Sequence, residues 1–140
     1  MSYKVTLDTR KLQALRKELI PLAEKVIDKT AFDIEQSAKR HCPVDTGALR
    51  SSIYTVTSRE SGESDAQQNA RLDNPDVELE TIPAPRNRLE ARVGPSVNYA
   101  IYVHWGTVKM RYSRPFLLLA VEDYRPYFLR AWDAMLRKYE

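Results

Sequence analysis

The stretch PVDTGALRSSI at residues 43–53 marks a corner at which a helical sequence pattern changes to a strand pattern. Pro43 ends the helix, because proline lacks an amide donor and disfavours helical backbone in the preceding residue. Asp45 and Thr46 can accept hydrogen bonds from the next free amides, and Gly47 can adopt the backbone angles of a turn. The stretch therefore predicts a tight connection between a helix and a sheet.

Downstream of the corner the pattern predicts a strand. Ser52 opens the stretch SIYTVT at residues 52–57, which has the β-branched and aromatic content of a strand. Leu49 and Ile53 are expected to bring the chain back into the hydrophobic core. Alternating apolar residues predict further short strands at 3–8, 77–82 and 89–94.

Upstream of the corner, apolar residues recur at steps of three and four from Leu12 to Ala38, which predicts an amphipathic helix. Pro21 interrupts this pattern and predicts a kink or a break, with a second helix over about residues 21–41. A last helix opens near Pro115. We therefore expect one α+β domain over residues 1–140, with a long kinked N-terminal helix and a C-terminal helix packed on a small antiparallel sheet of three to five strands.

The composition is that of a soluble globular protein. Of 140 residues, 43% are hydrophobic and 29% are charged. No apolar run approaches the roughly 18 residues that span a bilayer, and the N-terminal residues lack the apolar segment of a signal peptide, so we expect cytoplasmic synthesis and no membrane contact. One cysteine, Cys42, and two histidines are too few for a disulfide or a zinc site, and we expect no metal and no cofactor.

Charge is unevenly distributed along the chain. The net charge is +3, yet residues 58–90 carry eight acidic against four basic residues, whereas residues 1–50 carry ten basic against seven acidic. This asymmetry fits assembly with complementary neighbours or proximity to DNA, and an unengaged surface fits it as well. Residues 58–90 form a polar insertion with three prolines. We expect this insertion to become ordered against a neighbouring subunit.

The corner also permits an enzymatic interpretation. Asp45-Thr46-Gly47-Ala48 is the active-site signature of retroviral-type aspartic proteases, in which two chains pair carboxylates around one proton. Those proteases are all-β and their aspartate follows an apolar strand, whereas Asp45 follows a helical pattern. In those proteases a second element of two apolar residues and a glycine supports the aspartate. The nearest candidate here, Arg92-Val93-Gly94, carries a charge where an apolar residue belongs. His41 and Cys42 are a poor base and nucleophile, because adjacent helical residues point about 100° apart.

A second motif, VGPSVNYAIYVHWGT at residues 93–107, is dense in aromatic side chains. Exposed rings could stack nucleobases, but the stretch lacks interleaved Arg or Lys, which favours core packing. His104 is expected to be a hydrogen-bonded structural or interface residue rather than a base or a ligand. A third motif, RPFLLLA at residues 114–120, starts a helix at Pro115 and places Phe116 in the core.

Together the three motifs resemble the phage tail-component family, small proteins encoded between the portal and tail genes of long-tailed phages. The resemblance extends over about residues 20–125. An acidic residue is common in this family where His104 stands, so the chain departs from the family pattern there. The motif positions for which we expect structural or interface roles are Pro43, Asp45, Thr46, Gly47, Leu49, Ser52, Tyr99, Ala100, His104, Gly106, Thr107, Arg114, Pro115 and Phe116.

The resemblance implies a structural virion protein at the neck or the top of the tail, assembled in the host cytoplasm. It implies tail completion or head-tail joining by a homo-oligomeric ring around the DNA channel. Neighbouring neck, connector, terminator or tail-tube proteins would be its partners, and packaged DNA would lie close by. Two alternatives remain open, an aspartic protease that uses Asp45 and a DNA-binding accessory factor.

Overall fold

The computed structural model describes residues 1–44, 47–109 and 112–139. In chain order the elements are α1 (Arg10–His41), α2 (Ala48–Ser51), β1 (Ile53–Val56), α3 (Glu63–Asp73), β2 (Arg92–Pro95), α4 (Ala100–Trp105) and α5 (Phe116–Arg137). The α+β class is confirmed, with a long N-terminal helix, a C-terminal helix and a small antiparallel sheet. None of the described helices is long and apolar enough to cross a membrane.

Helix α1 is continuous over 32 residues and passes through Pro21. The sequence predicts a kink or a break there, and no break occurs. Pro21 removes the amide that would bond the carbonyl of Lys17. Lys17 is exposed, so water can replace the lost donor. The downstream half of α1 packs along α5, and this packing keeps the helix whole.

Residues 1–9, which we call the arm, precede α1 without forming a strand. Tyr3, Val5 and Leu7 alternate as a strand pattern requires, yet their side chains are exposed. The strand expected at residues 3–8 is not confirmed, because a strand needs a partner and this segment pairs with none of the described residues.

The sheet consists of β1 and β2 in antiparallel register, with Ile53 opposite Pro95 and Val56 opposite Arg92. Strand β1 lies within the stretch expected at residues 52–57, and β2 overlaps the stretch expected at residues 89–94 and ends one residue beyond it. The segment 77–82 contributes only an isolated bridge between Leu79 and Val97. Prolines on both sides of that segment limit the pairing. A sheet of three to five strands is therefore not confirmed, since the described residues form two.

The two faces of β1 are both covered, which explains why all four of its residues are buried. Ile53 belongs to the cluster under α1, and Thr55 donates a hydrogen bond to Glu35 of α1 at 2.7 Å. Tyr54 and Val56 point the other way and pack with Ala66 of α3. The sheet is thus the middle layer between the α1–α5 pair and α3.

The main core lies where the C-terminal end of α1 meets the N-terminal end of α5. Phe116 is fully buried at its centre. The buried members of this cluster are Ala38, Cys42, Leu49, Ile53, Val97, Ala100, Phe116 and Ala120.

The polar insertion 58–90 is folded onto its own chain. It contains α3, whose Ala66 and Ala70 are buried against the rest of the domain. The Tyr54 hydroxyl accepts a hydrogen bond from the amide of Ile82 at 2.7 Å. The insertion is therefore held by contacts with its own chain, whereas the sequence predicts that the insertion becomes ordered against a neighbouring subunit.

Candidate assembly site

The corner between α1 and β1 depends on Gly47. Asp45 and Thr46, the other two polar residues predicted to shape it, lie outside the described residues. Gly47 has φ +89°, and a Cβ added there would lie 3.3 Å from a carboxylate oxygen of Asp73. Ser51 donates a hydrogen bond to the same carboxylate. Residues of α3 thus close the corner, and any residue with a side chain would be strained there.

The three sequence motifs meet in the main core. Leu49 of the first, Ala100 of the second and Phe116 of the third belong to one buried cluster. Ser52 is fully buried and its hydroxyl donates to the carbonyl of Leu49 at 2.7 Å. Pro43 and Tyr99 are half-buried beside them. This convergence is what a structural role for the motifs would require.

Other motif residues form the connection between α4 and α5. Gly106 ends α4 with φ +85°, and a Cβ there would lie 3.2 Å from Cβ of Ser113. The amide of Arg114 donates to the carbonyl of Val103 at 3.0 Å. Thr107 and Arg114 have exposed side chains, and Pro115 is the N-cap residue of α5. This connection folds α4 back against the first turn of α5.

His104 is the most constrained polar residue of α4. Its side chain is buried, and Nε2 accepts a hydrogen bond from the amide of Leu118 at 3.2 Å. Burial lowers the pKa of His104, so the ring is neutral at pH 7 and carries its proton on Nδ1. That buried Nδ1 has no hydrogen-bond partner among the described residues. The ring also packs edge-on against Trp105 and Phe116.

An apolar pocket of about 410 Å³ opens beside His104, between α4 and α5. We call it the His104 pocket. Ile101 and Trp105 on α4 are 60% and 66% exposed at its mouth, and Leu118 and Val121 of α5 line it with partly exposed side chains. Apolar side chains grouped in this way on a small protein mark an interaction surface.

A second apolar groove, of about 580 Å³, runs between α1, α5 and the segment before β2. Ile27 and Ile34 form its α1 wall, and Val121 and Phe128 form its α5 wall. Val121 also lines the His104 pocket, so the two depressions adjoin each other along α5.

Sequence reasoning did not identify the buried carboxylate Glu24, which is 1% exposed on α1. Arg59 and Arg88, from the two ends of the insertion, bond its oxygens at 2.8 and 2.7 Å. The hydrogen bond from Arg59, joined by that from Arg88, lowers the pKa of Glu24 against the opposing effect of burial. No local pattern reveals this site, because the partners lie 35 and 64 residues away.

A cluster of Ser37, His41 and Asp123 has the residue types of a catalytic triad but not its geometry. Both Ser37 Oγ and His41 Nε2 bond the same Asp123 oxygen, at 2.9 and 2.6 Å. The serine hydroxyl donates to the carboxylate rather than to the histidine, and Ser37 is fully buried. The cluster therefore joins α1 to α5 and cannot work as a nucleophile with its base.

The sequence model of one protein family matches residues 9–106, most of the chain. This family is described as "Bacteriophage HK97-gp10, putative tail-component". The chain belongs to this HK97-gp10-like family. No curated protein and no solved structure matches the chain at a significant level.

The HK97-gp10-like match confirms the resemblance and, with it, a structural role as a phage tail component in the virion. It includes the corner, the insertion and α4, with His104 and Trp105. It ends at Gly106, so the third motif and α5 lie outside the matched residues, although the resemblance was expected to reach about residue 125.

Enzymatic chemistry receives no support from this HK97-gp10-like fold. Asp45, the carboxylate of the protease alternative, lies outside the described residues. Its proposed buttress, Arg92-Val93-Gly94, lies in β2 and is paired with β1 in a mainly helical domain, not in the all-β fold of retroviral-type proteases. Among the described residues, no group of three or more His, Cys, Asp or Glu could hold a metal ion.

Proposed function

We propose that this tail component works at the head-tail junction, in tail completion or head-tail joining. It would act as a homo-oligomeric ring around the DNA channel, at the neck or the top of the tail, after assembly in the host cytoplasm. Its partners would be neighbouring neck, connector, terminator or tail-tube proteins.

The exposed apolar surface of α4 is the observation that carries this proposal. Ile101, Tyr102 and Trp105 are all more than half exposed, on a helix of six residues inside the matched segment. Aromatic side chains are enriched at protein interfaces and depleted from unengaged surfaces. A chain of 140 residues that leaves two aromatic side chains and one isoleucine of a short helix in water is best explained as a subunit of an assembly.

The distribution of charge between layers supports an assembly of like subunits. The α3 layer and the segment that follows it carry seven carboxylates and one arginine between residues 60 and 80. The opposite layer has a smaller excess of Lys and Arg, which lies on α1: that helix carries eight basic residues against five acidic ones, whereas α5 carries three of each. A basic face on one copy and an acidic face on the next would attract each other in a head-to-tail contact, which is the type of contact that closes into rings.

The excess of Lys and Arg on the helical layer also supports a position near packaged DNA. Such residues interact with phosphates without reading sequence. The insertion, held by Glu24, would present its acidic surface to a neighbouring virion protein.

Electron microscopy of particles made without the protein tests the proposal. We expect full heads and separate tails, with joined virions restored when the wild-type chain is supplied in trans. Normally joined virions in the absence of the protein would contradict a role at the junction.

A further inference from the structure

We propose that the His104 pocket of one copy receives the arm, residues 1–9, of a second copy. This inference rests on the proposed ring, since it names the contact that would join neighbouring subunits. Two independent features point to it, an apolar pocket that opens at the surface and an exposed arm that pairs with none of the described residues.

The pocket offers apolar walls. Ile101, Trp105 and Leu118 present apolar surface to solvent, whereas the polar Nδ1 of His104 is buried beneath them. The fitting occupant is therefore a segment that supplies exposed apolar side chains.

The arm is such a segment. Tyr3, Val5 and Leu7 lie on one side of its alternating pattern and are 88%, 94% and 77% exposed. Its backbone carbonyls join no sheet among the described residues, because both strands lie elsewhere in the chain. An exposed extended segment with alternating apolar residues is suited to docking in a groove on another molecule.

The arm cannot reach the pocket of its own chain. The pocket is built around Phe116, which packs with Ala38 near the C-terminal end of α1. Arg10 and Ala38 are separated by about 42 Å at 1.5 Å per helical residue. Fully extended, Val5 reaches no more than about 18 Å beyond Arg10. An arm that docks in this pocket must therefore belong to a second copy, and the contact is head-to-tail.

Disulfide cross-linking between separately prepared full-length variants tests this contact. Val5→Cys on one preparation and Ile101→Cys on a second, differently tagged one are mixed and treated with a mild oxidant. Native Cys42 does not interfere, because it is 5% exposed and burial raises its pKa to about 11. Leu72→Cys replaces Ile101→Cys in the control, since Leu72 is an apolar residue on α3 that is even more exposed than Ile101.

We expect the disulfide between Val5→Cys and Ile101→Cys to form at least about tenfold faster than the control disulfide, a preference of about 1.4 kcal/mol. Equal rates, or no cross-link at high protein concentration, would overturn the inference. A chain carrying both Val5→Cys and Ile101→Cys should form no internal disulfide at high dilution, and an internal disulfide would overturn it too. If cross-linking fails while particles lacking the protein still show separated heads and tails, only this contact is wrong. If those particles are normally joined, the proposed function fails whatever the cross-link shows.

Discussion

Asp28 lies one helical turn after Glu24 on α1 and shares its partly buried environment. Its Oδ1 is buried without a hydrogen-bond partner among the described residues. Burial raises the pKa of Asp28, and the negative charge of Glu24 adds to the effect. Arg59 opposes these effects only in part, so the ionised form of Asp28 is less stable in the folded protein than in the unfolded chain.

Replacing Asp28 by Asn should therefore stabilise the protein at pH 7. A raised folded-state pKa means that ionised Asp28 is destabilising at pH values above that pKa, and that the destabilisation disappears as the pH falls below the ordinary value of 3.8. The expected result is a higher Tm for Asp28→Asn at pH 7 and no difference at pH 3, measured by thermal unfolding. Glu18→Gln, an exposed change on the same helix, is the matched control. A lower Tm at pH 7 would show that the carboxylate is stabilised by its surroundings.

At the scale of the elements, β1 holds the domain together because it is covered on both faces. One face packs under α1, and the other carries Tyr54 toward α3 and the insertion. Tyr54 is 1% exposed, and its hydroxyl is the acceptor for the amide of Ile82. The strand therefore fixes the position of a segment 28 residues away.

Tyr54→Phe tests this link without changing the packing of the ring. The amide of Ile82 would lose its acceptor, and removing a partly buried hydrogen bond of this kind costs about 1 kcal/mol of unfolding free energy. We expect a loss of this size in chemical denaturation, together with faster hydrogen exchange at the amide of Ile82. Tyr102→Phe removes a hydroxyl from an exposed ring and should change neither quantity. Unchanged exchange at Ile82 in Tyr54→Phe would mean that other contacts hold the segment.

Local patterns predict those elements whose environment is also local. The strand after the corner, the helix after Pro115 and the buried Phe116 follow from periodicity and proline positions. The continuity of α1 through Pro21 does not follow from local patterns. Packing against α5, which lies about 80 residues further along the chain, outweighs the local cost of proline inside a helix. The strands predicted at residues 3–8 and 77–82 are not confirmed, because a strand depends on a pairing partner that periodicity does not reveal.

The candidate site was predictable only in part for the same reason. The structural or interface role expected of His104 stays a prediction, although the density of aromatic residues in its motif drew attention to α4. Glu24 was missed because its arginine partners lie in the insertion. The contacts of Ser37 and His41 with Asp123 were missed because they depend on how α1 packs against α5. Long-range electrostatic contacts leave no spacing signal in one sequence.

At the scale of the whole molecule, the layers are joined by carboxylates that function only when ionised. Glu24 holds both ends of the insertion to α1, and Asp123 joins α1 to α5. The pKa of Asp123 is lowered, first by its hydrogen bond with His41 and then by that from Ser37. Both groups therefore bind protons less readily in the folded state than in the unfolded state.

This direction of shift predicts acid sensitivity that depends on Glu24. A carboxylate with a lowered folded-state pKa contributes stability at pH values above its ordinary value, 4.5 for Glu24, and that contribution is lost as the pH falls through the folded-state pKa. Glu24→Gln removes the charge and leaves Arg59 and Arg88 without a counterion, so its Tm at pH 7 should be well below that of the wild type. The difference should narrow as the pH falls toward the lowered folded-state pKa of Glu24, and limited trypsin digestion at pH 8 should cleave the variant faster after Arg59 and Arg88. Glu18→Gln should match the wild type in both assays. A Tm difference that stays the same size from pH 7 down to the lowest pH at which the protein folds would mean that the shape of the side chain, and not its charge, joins the layers.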